Sequence, residues 1–415
     1  MKILVLNCGS SSVKLQLIET DRQLMERAGD RVLAKALVDR IGAADAVFRC
    51  EAAGGPLEES RQPVADHAAA IRIAVERITA LAGDGVIDGV GHRMVHGGEY
   101  FAHSVLLNEE VARKIEECSE FAPLHNPHNL RGYYAARNLL PGAPQVAVFD
   151  TAFHQTLPRW AFLYGLPYEA YERHRIRRYG FHGTSHRYVT ERYAQLRGGR
   201  HEDFKLITCH LGNGCSMTAV DRGRAVDTSM GFTPLEGLLM GTRAGDVDAA
   251  AVLYLMDREH LGVEQALALL NQRSGLLGVS GISNDIRELI SKMESGDARA
   301  GLAIGMFCYR VRKYIGAYYA VLNGADAVIF TGGIGENRPL IRARICEALD
   351  ALGIAIDPPK NEGAIAVEAD ISAGSAKTQV WVIPTNEELL IARETALCIG
   401  KRGSDFSAPE PPSTR

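Results

Sequence analysis

The eight cysteines of this chain include no Cys-x-x-Cys pair. That removes the common sequence signature of a zinc site. In a chain of 415 residues the thiols read as scattered and buried in a reducing compartment, not as a disulfide framework. No apolar run is long enough to span a bilayer. The apolar start, Met1 to Leu6, gives way at once to Asn7-Cys8-Gly9-Ser10 and is too short for a signal-peptide core. An excess of one charge is also missing. Lys and Arg number 46, Asp and Glu 50, for a net −4, so nothing calls for nucleic acid or an acidic membrane as partner. The expected location is the cytoplasm. Walker A and complete Gly-x-Gly-x-x-Gly sequences are absent as well, so P-loop and Rossmann readings lose support.

What is present is ordinary for a globular enzyme: 46% hydrophobic and 23% charged residues, in a chain longer than one core usually serves. Two domains are therefore expected. Apolar runs predict strands at 3–6, 13–18, 145–149, 205–210, 327–330 and 379–383. Ile71, Val75, Ile78 and Leu81 give helical spacing over 66–81, Asn108 can cap a helix that opens with Glu109 and Glu110, and 299–322 reads as a long apolar helix that should be mostly buried. Strands alternating with helices indicate an α/β protein. The last dozen residues, with Pro409, Pro411 and Pro412, read as a disordered tail.

One internal similarity organises the chain. Residues 3–15 and 206–218 each form an apolar strand, one polar residue (Asn7 or His210), a glycine two places on (Gly9 or Gly212), small residues and a second strand. Two such units predict duplicated lobes with a nucleotide cleft between them. Both turns also resemble phosphate cradles. Small-residue hairpins turn backbone N–H groups toward an anion, glycine allows close approach, and serine adds donors. Asn7-Cys-Gly-Ser-Ser-Ser12 offers Ser10 and Ser12, and Lys14 follows as a point charge; His210-Leu211-Gly212-Asn213-Gly214 is the second cradle. A third, Thr331-Gly332-Gly333-Ile334-Gly335-Glu336-Asn337, follows a strand and precedes an expected helix, a geometry suited to a nucleotide. Any one of these is common punctuation between elements; three together point to phosphate.

These loops occur alongside His92-Arg-Met-Val-His-Gly-Gly98, Phe149-Asp-Thr-Ala-Phe-His154, Arg178-Tyr-Gly-Phe-His-Gly-Thr-Ser-His186, Asp227-Thr-Ser-Met-Gly-Phe-Thr-Pro-Leu-Glu-Gly237, Gly241-Thr-Arg-Ala-Gly-Asp246 and Pro384-Thr-Asn-Glu-Glu388. In this order, over nearly the whole chain, the set resembles the acetate kinase family. The resemblance implies two actin/hexokinase-like (ribonuclease H-like) lobes, the first over 1–150 plus the returning 387–415, the second, nucleotide-binding and dimerising, over 151–386. It implies a homodimer that transfers the γ-phosphoryl group of ATP to acetate with Mg²⁺, Mn²⁺ being an alternative metal. Val13, Leu15 and Asn284 depart from the more familiar residues at packing or nucleotide-edge positions.

Phosphoryl transfer requires alignment and charge compensation more than covalent work. Arg93 is the candidate to hold the acid, since a guanidinium can grip two carboxylate oxygens and keeps its charge; alone it would read as a surface ion pair. His92, His96 and His103 invite a metal reading, but Gly97-Gly98 argues against a shared helix face, and they are read as structural. By resemblance Arg243 and His182 stabilise the transferring group and Asn213 contacts it, against the plainer readings of ion pair and core histidine. Asp150 sits where a strand ends. A carboxylate acceptor, ionised at neutral pH, has no proton to give up, so Asp150 is expected to orient Arg93 or help hold Mg²⁺ rather than act as a base. Asn7 and Glu387 match metal-associated positions; Asp285, Ile286 and Arg287, with Gly333 to Asn337, match the nucleotide segment. His125 matches an active-site position of lesser weight. The methyl pocket is expected from Val95, Leu124, Phe181 and Pro234. A propionate kinase would share every catalytic residue; a nucleotide sensor on the same fold would keep the loops and lose Arg93, His182 or Arg243. Because β-branched Val95 leaves little room, Val95→Ala should raise kcat/KM for propionate relative to acetate by about 10-fold, the scale of one methylene in an apolar pocket; an unchanged ratio removes Val95 from that pocket.

Overall fold

A computed structural model describes residues 1–81, 86–123 and 125–401. Leu124 and the Pro-rich tail lie outside the described residues. The chain divides into two compact units, one of Met1–Ala152 with the segment that begins at Glu387, the other of Phe153–Asn386.

The first unit carries β1 (Lys2–Cys8), β2 (Ser12–Glu19), β3 (Arg31–Asp39), β4 (Ala46–Ala52), β5 (Glu58–Gln62), β6 (Gly89–Met94), β7 (Val105–Leu106) and β8 (Gln145–Phe149) in one sheet of order β5-β4-β3-β2-β1-β6-β8-β7. The second carries β9 (Lys205–Leu211), β10 (Cys215–Asp221), β11 (Arg224–Thr228), β12 (Ala327–Thr331), β13 (Ala369–Asp370) and β14 (Gln379–Val382), in order β11-β10-β9-β12-β14-β13. The same five-strand core recurs. β1 pairs antiparallel with β2 and parallel with β6, which pairs parallel with β8; β9 does the same with β10, β12 and β14. The duplication read from the two hairpins is thus a duplication of topology. No strand is expected from the sequence at β3 to β7, β11 or β13, which are short or have their apolar alternation interrupted by charge and glycine.

In the first unit the two-residue period of β1 sorts its side chains. Leu4, Leu6 and Cys8 pack in one core with Ile71 and Ile78 of the helix His67–Leu81. Ile3 and Val5 pack in the other with Ile391 and Ala392 of the helix Glu387–Gly400. Asn7 continues the second row, and Lys14, its register partner on β2, shares that face. On β6 the same face shows Gly89, Gly91 and Arg93. A Cβ on Gly89 would strike Ile399, and one on Gly91 would strike Thr395 and Ile391. Two strand residues advance about 6.6 Å and four helical residues about 6 Å, so 399 and 395 keep step with 89 and 91, and Ile391 comes level with Arg93. Glu387 lies one turn further on, and its Oε2 stands 3.5 Å from Arg93 Nη2. Two missing side chains thus let this helix lie close to β6, with its first residue within side-chain reach of Arg93.

The helix Ala298–Leu322 opens on Asp297, whose Oδ1 accepts the Ala300 N–H at 2.8 Å. Its apolar character over-predicted its burial. Ala300, Ala303, Ile304, Phe307, Val311, Ile315 and Tyr318 form one buried stripe, while Leu302 and Tyr309 stand 56% and 65% exposed. The third cradle differs from expectation as well: Gly332–Asn337 is itself a short helix. Gly332 has φ +75°, and a Cβ there would meet the Leu211 carbonyl, so only glycine can begin it.

Gly91→Val should destabilise the protein by about 1–3 kcal/mol through overpacking, read as a lower urea midpoint. Gly142→Ala, where a Cβ meets nothing within 4 Å, is the control and should leave the midpoint in place.

Candidate active site

In the first unit β6 delivers Arg93 and β8 delivers Asp150, whose N–H donates to the Met94 carbonyl at 2.9 Å. Arg93 Nε donates to Asp150 Oδ1 and Oδ2 at 3.2 and 3.0 Å, and Nη2 donates to Oδ2 at 2.7 Å. Glu387 Oε2 stands 3.5 Å from Nη2. Burial works against the guanidinium's charge, yet the Asp150 and Glu387 carboxylates hold it more firmly protonated than a free arginine. Asp150 occupies the side-on fork, Nε with Nη2. Nη1 keeps its donors for another carboxylate.

The backbone beyond Arg93 is fixed by amides. The Val95 N–H donates to Asn129 Oδ1 at 3.1 Å while Asn129 Nδ2 donates to the Cys8 carbonyl at 2.9 Å, so one side chain ties the Val95 segment to the first phosphate turn. That turn closes through Gly9 N–H to the Ser12 carbonyl at 2.8 Å, with Ser10 and Lys14 exposed and Ser12 partly so. His92 Nε2 lies 2.6 Å from Gln145 Oε1, and burial, partly offset by that bond, pushes its pKa down to about 4. His96 Nδ1 accepts the Gly98 N–H at 3.0 Å. Among the described residues no group of His, Cys, Asp and Glu forms a ready cage for a metal.

In the second unit His182 precedes the helix Gly183–Leu196 with φ 56°, a left-handed conformation uncommon outside glycine. Its ring stacks on His210 with centroids 4.3 Å apart, and Ser185 Oγ lies 2.8 Å from His210 Nδ1. Arg243 Nη1 donates to the Pro234 carbonyl at 3.1 Å. Burial lowers its pKa, and among the described residues no carboxylate forms an ion pair with it. Gly214 lies beneath both groups: a Cβ there would sit 3.6 Å from His182 Nε2 and 3.7 Å from Arg243 Nη1. A half-buried cation without a carboxylate partner, beside an imidazole, suits an anion.

Beside it, a cavity of about 490 Å³ is lined by Gly212, Asn213, Asn284, Asp285, Ile286, Arg287, Gly333, Ile334, Asn337 and Arg338. Three separate segments of the expected nucleotide site meet there. Asn284, read from sequence only as a departure, donates through Nδ2 to Asn213 Oδ1 at 2.9 Å, which leaves Asn213's own NH₂ for an acceptor. Asp285 caps the helix Ile286–Glu294, and hydrogen bonds from Arg287 hold its pKa down to about 2. Other expected contacts are not cavity walls. Leu211 is buried; Gly335 gives its carbonyl to Arg342 Nη1 at 2.8 Å; Glu336 Oε1 accepts from the Gly332 and Thr385 N–H groups at 2.7 and 2.9 Å. The Glu336 carboxylate, expected at the nucleotide, is turned onto the protein because it caps its own short helix. Arg342, wholly buried and unmarked by any local pattern, clamps that helix from behind through the Gly335 and Glu336 carbonyls. Of the expected methyl pocket, Val95 belongs to the first unit and Phe181 and Pro234 to the second.

The sequence profile described as the Acetokinase family matches residues 2–393. The acetate kinase of Caldicellulosiruptor saccharolyticus is 51% identical over 97% of this chain and 100% of its own length; that of Symbiobacterium thermophilum is 52% identical with the same coverage. The crystal structure of Porphyromonas gingivalis acetate kinase superposes with TM-score 0.88 at 43% identity, covering 96% of this chain and 99% of that one. A propionate kinase from Francisella tularensis superposes with TM-score 0.87 at 41% identity, over 95% and 98%. The chain belongs to the acetokinase family.

Gly214→Ala tests the anion position. The added methyl makes only ordinary van der Waals contacts, so the thermal midpoint should hold, while kcat should fall by about 10- to 100-fold because the methyl occupies the space between His182 and Arg243. Unchanged kcat would place the reacting group elsewhere.

Proposed function

We propose that this protein catalyses reversible, Mg²⁺-dependent transfer of the γ-phosphoryl group of ATP to acetate, giving acetyl phosphate and ADP. The observation that carries this reading is the convergence of His182 and the uncompensated Arg243 over Gly214, beside the cavity formed by Asn213, Asp285 and Gly333. Such an arrangement stabilises charge on a moving phosphoryl group. An arginine in that role is worth about 10³–10⁵ in rate.

ATP is the co-substrate, with Gly212, Asn213, Asp285, Ile286, Arg287, Gly333, Ile334 and Asn337 around it. Arg93 holds the acid through its end-on donors while Asp150 fixes the guanidinium from the side. An acetate oxygen attacks the γ-phosphorus, ADP leaves, and no proton moves. Arg243 and the Asn213 amide neutralise the equatorial oxygens. Glu387 and Asn7, which share one face of the first sheet, would hold Mg²⁺; a sparse oxygen set suits an ion that keeps much of its water. The metal would offset the charge of the phosphate oxygens. Ser10, Ser12 and Lys14 add donors to the phosphate chain.

The propionate reading has the same machinery and rests on the 41% identity to the Francisella enzyme. The homodimer is supported by exposed apolar residues on three helices: Leu253 and Tyr254 of Ala249–Arg258, Val263 and Leu267 of Val263–Gln272, and Leu302 and Tyr309 of Ala298–Leu322. A cytoplasmic location fits eight free, buried cysteines and the lack, among the described residues, of any helix long and apolar enough to cross a membrane.

Product trapping by hydroxylamine, with ATP, Mg²⁺ and acetate, propionate, butyrate or no acid, tests the reading. Acetyl hydroxamate should form fastest. A preference for propionate would keep the mechanism and change the substrate. ATP hydrolysis with no trapped acyl phosphate from any acid would remove carboxylate transfer altogether.

A further inference from the structure

Behind His182 a chain of side chains runs into the second sheet. His182 Nδ1 lies 2.9 Å from Ser216 Oγ; Ser216 Oγ lies 2.7 Å from His186 Nε2; His186 Nδ1 lies 2.7 Å from Thr208 Oγ1; and Thr208 Oγ1 donates to the Thr218 carbonyl at 3.3 Å. His186, Thr208, Ser216 and Thr218 are fully buried. None of the expected roles drawn from the sequence uses Ser216, Thr208 or His186.

We propose that Ser216, His186 and Thr208 are positioning residues that fix the proton of His182 on Nδ1, so that His182 Nε2 donates a hydrogen bond to the moving phosphoryl group only as imidazolium. The polarity follows from proton counting. A carbonyl can only accept, and the Thr208 hydroxyl has one proton. Once that proton goes to the Thr218 carbonyl, Thr208 Oγ1 must accept from His186 Nδ1. Burial, with His154 and His210 adding to it, holds the His186 pKa well below the usual imidazole value, so its ring is neutral and Nε2 is bare. Nε2 therefore accepts from Ser216, and Ser216 Oγ accepts from His182 Nδ1. A parallel chain runs the same way on this strand. Thr228 Oγ1 donates to the Met217 carbonyl at 2.9 Å, so it accepts from Thr218, which accepts from His154 Nε2 at 3.0 Å.

The charged and titratable groups around His182 in the second unit set the balance of its two forms. Among the described groups, Arg243, across Gly214, opposes the imidazolium; His210 stacks on the ring, and His186 lies one helical turn on. An incoming phosphate favours the charged form, which places the switch in the working complex.

This inference rests on the reading of His182 as a phosphoryl stabiliser, but its first test is independent of activity. Nitrogen and carbon chemical shifts of ¹⁵N,¹³C-histidine in the free enzyme, at a pH where the ring is neutral, should report Nδ1–H for His182. In Thr208→Val, which keeps the shape and loses the hydroxyl, His186 turns its proton to Nε2 and the whole chain reverses, so His182 should read Nε2–H. Thr208→Ser should restore Nδ1–H. In wild type, kcat should fall at least 10-fold with rising pH as His182 loses its second proton, the scale of one good donor lost. That alkaline limb should flatten in Thr208→Val and return in Thr208→Ser. Should Thr208→Val fail to fold, Ser216→Ala breaks the same chain and should also abolish the Nδ1–H preference. Nε2–H in the wild type, or a tautomer and pH profile indifferent to both substitutions, overturns the proposal. The expected tautomers with no acyl phosphate formed would instead uphold the relay and overturn the assigned reaction.

Discussion

A cation drawn partly out of water needs an answering charge or a ligand, and Arg93 and Arg243 meet that requirement in opposite ways. Arg93 has Asp150 on its side-on fork and Glu387 within 3.5 Å, so its position is fixed by carboxylates of its own chain. Removing one member of a buried pair typically costs about 3–5 kcal/mol, which makes such a pair a structural anchor. Arg243 has a carbonyl and no carboxylate among the described residues, so its field is available to a ligand. The first arrangement holds a guanidinium still with donors to spare; the second keeps a charge uncompensated. In the proposed reaction the first would hold the acceptor and the second would face the group in flight.

Close packing makes the first arrangement possible. Glu387 reaches Arg93 because Gly89 and Gly91 leave room for Ile399, Thr395 and Ile391. The acidic residue is then placed by the step of a helix along a strand, not by a loop, and rigid elements hold geometry better than loops do. In the second unit the same economy appears at Gly214, where the missing side chain is the space that His182 and Arg243 share.

Much of the fold was legible because its signals are local. The hairpins at Asn7 and His210 repeat in sequence, and the strands they begin occupy equivalent places in two sheets of the same core order. Turn chemistry at Gly9, Gly212 and Gly332 needs only neighbouring residues to be read. The helix Ala298–Leu322 was misjudged because mean apolarity does not say how many faces are covered; Leu302 and Tyr309 lie on the uncovered one. The local sequence does not tell whether the Glu336 carboxylate meets a ligand or caps its own helix; in the structure its Oε1 accepts from the Gly332 and Thr385 N–H groups.

The sequence by itself determined which chemical groups are available: two arginines in small-residue settings, His182, three phosphate-type turns, and a carboxylate at each of two strand-to-loop junctions. Only the tertiary structure decided what those groups are bonded to. Arg93 and Asp150 are 57 residues apart, His182 and Ser216 are 34 apart, and Asn213 and Asn284 are 71 apart. The physical reason is range. Turn and helix signals act over a few residues, whereas ion pairing and the direction of a hydrogen bond depend on which distant atom folding brings within about 3 Å.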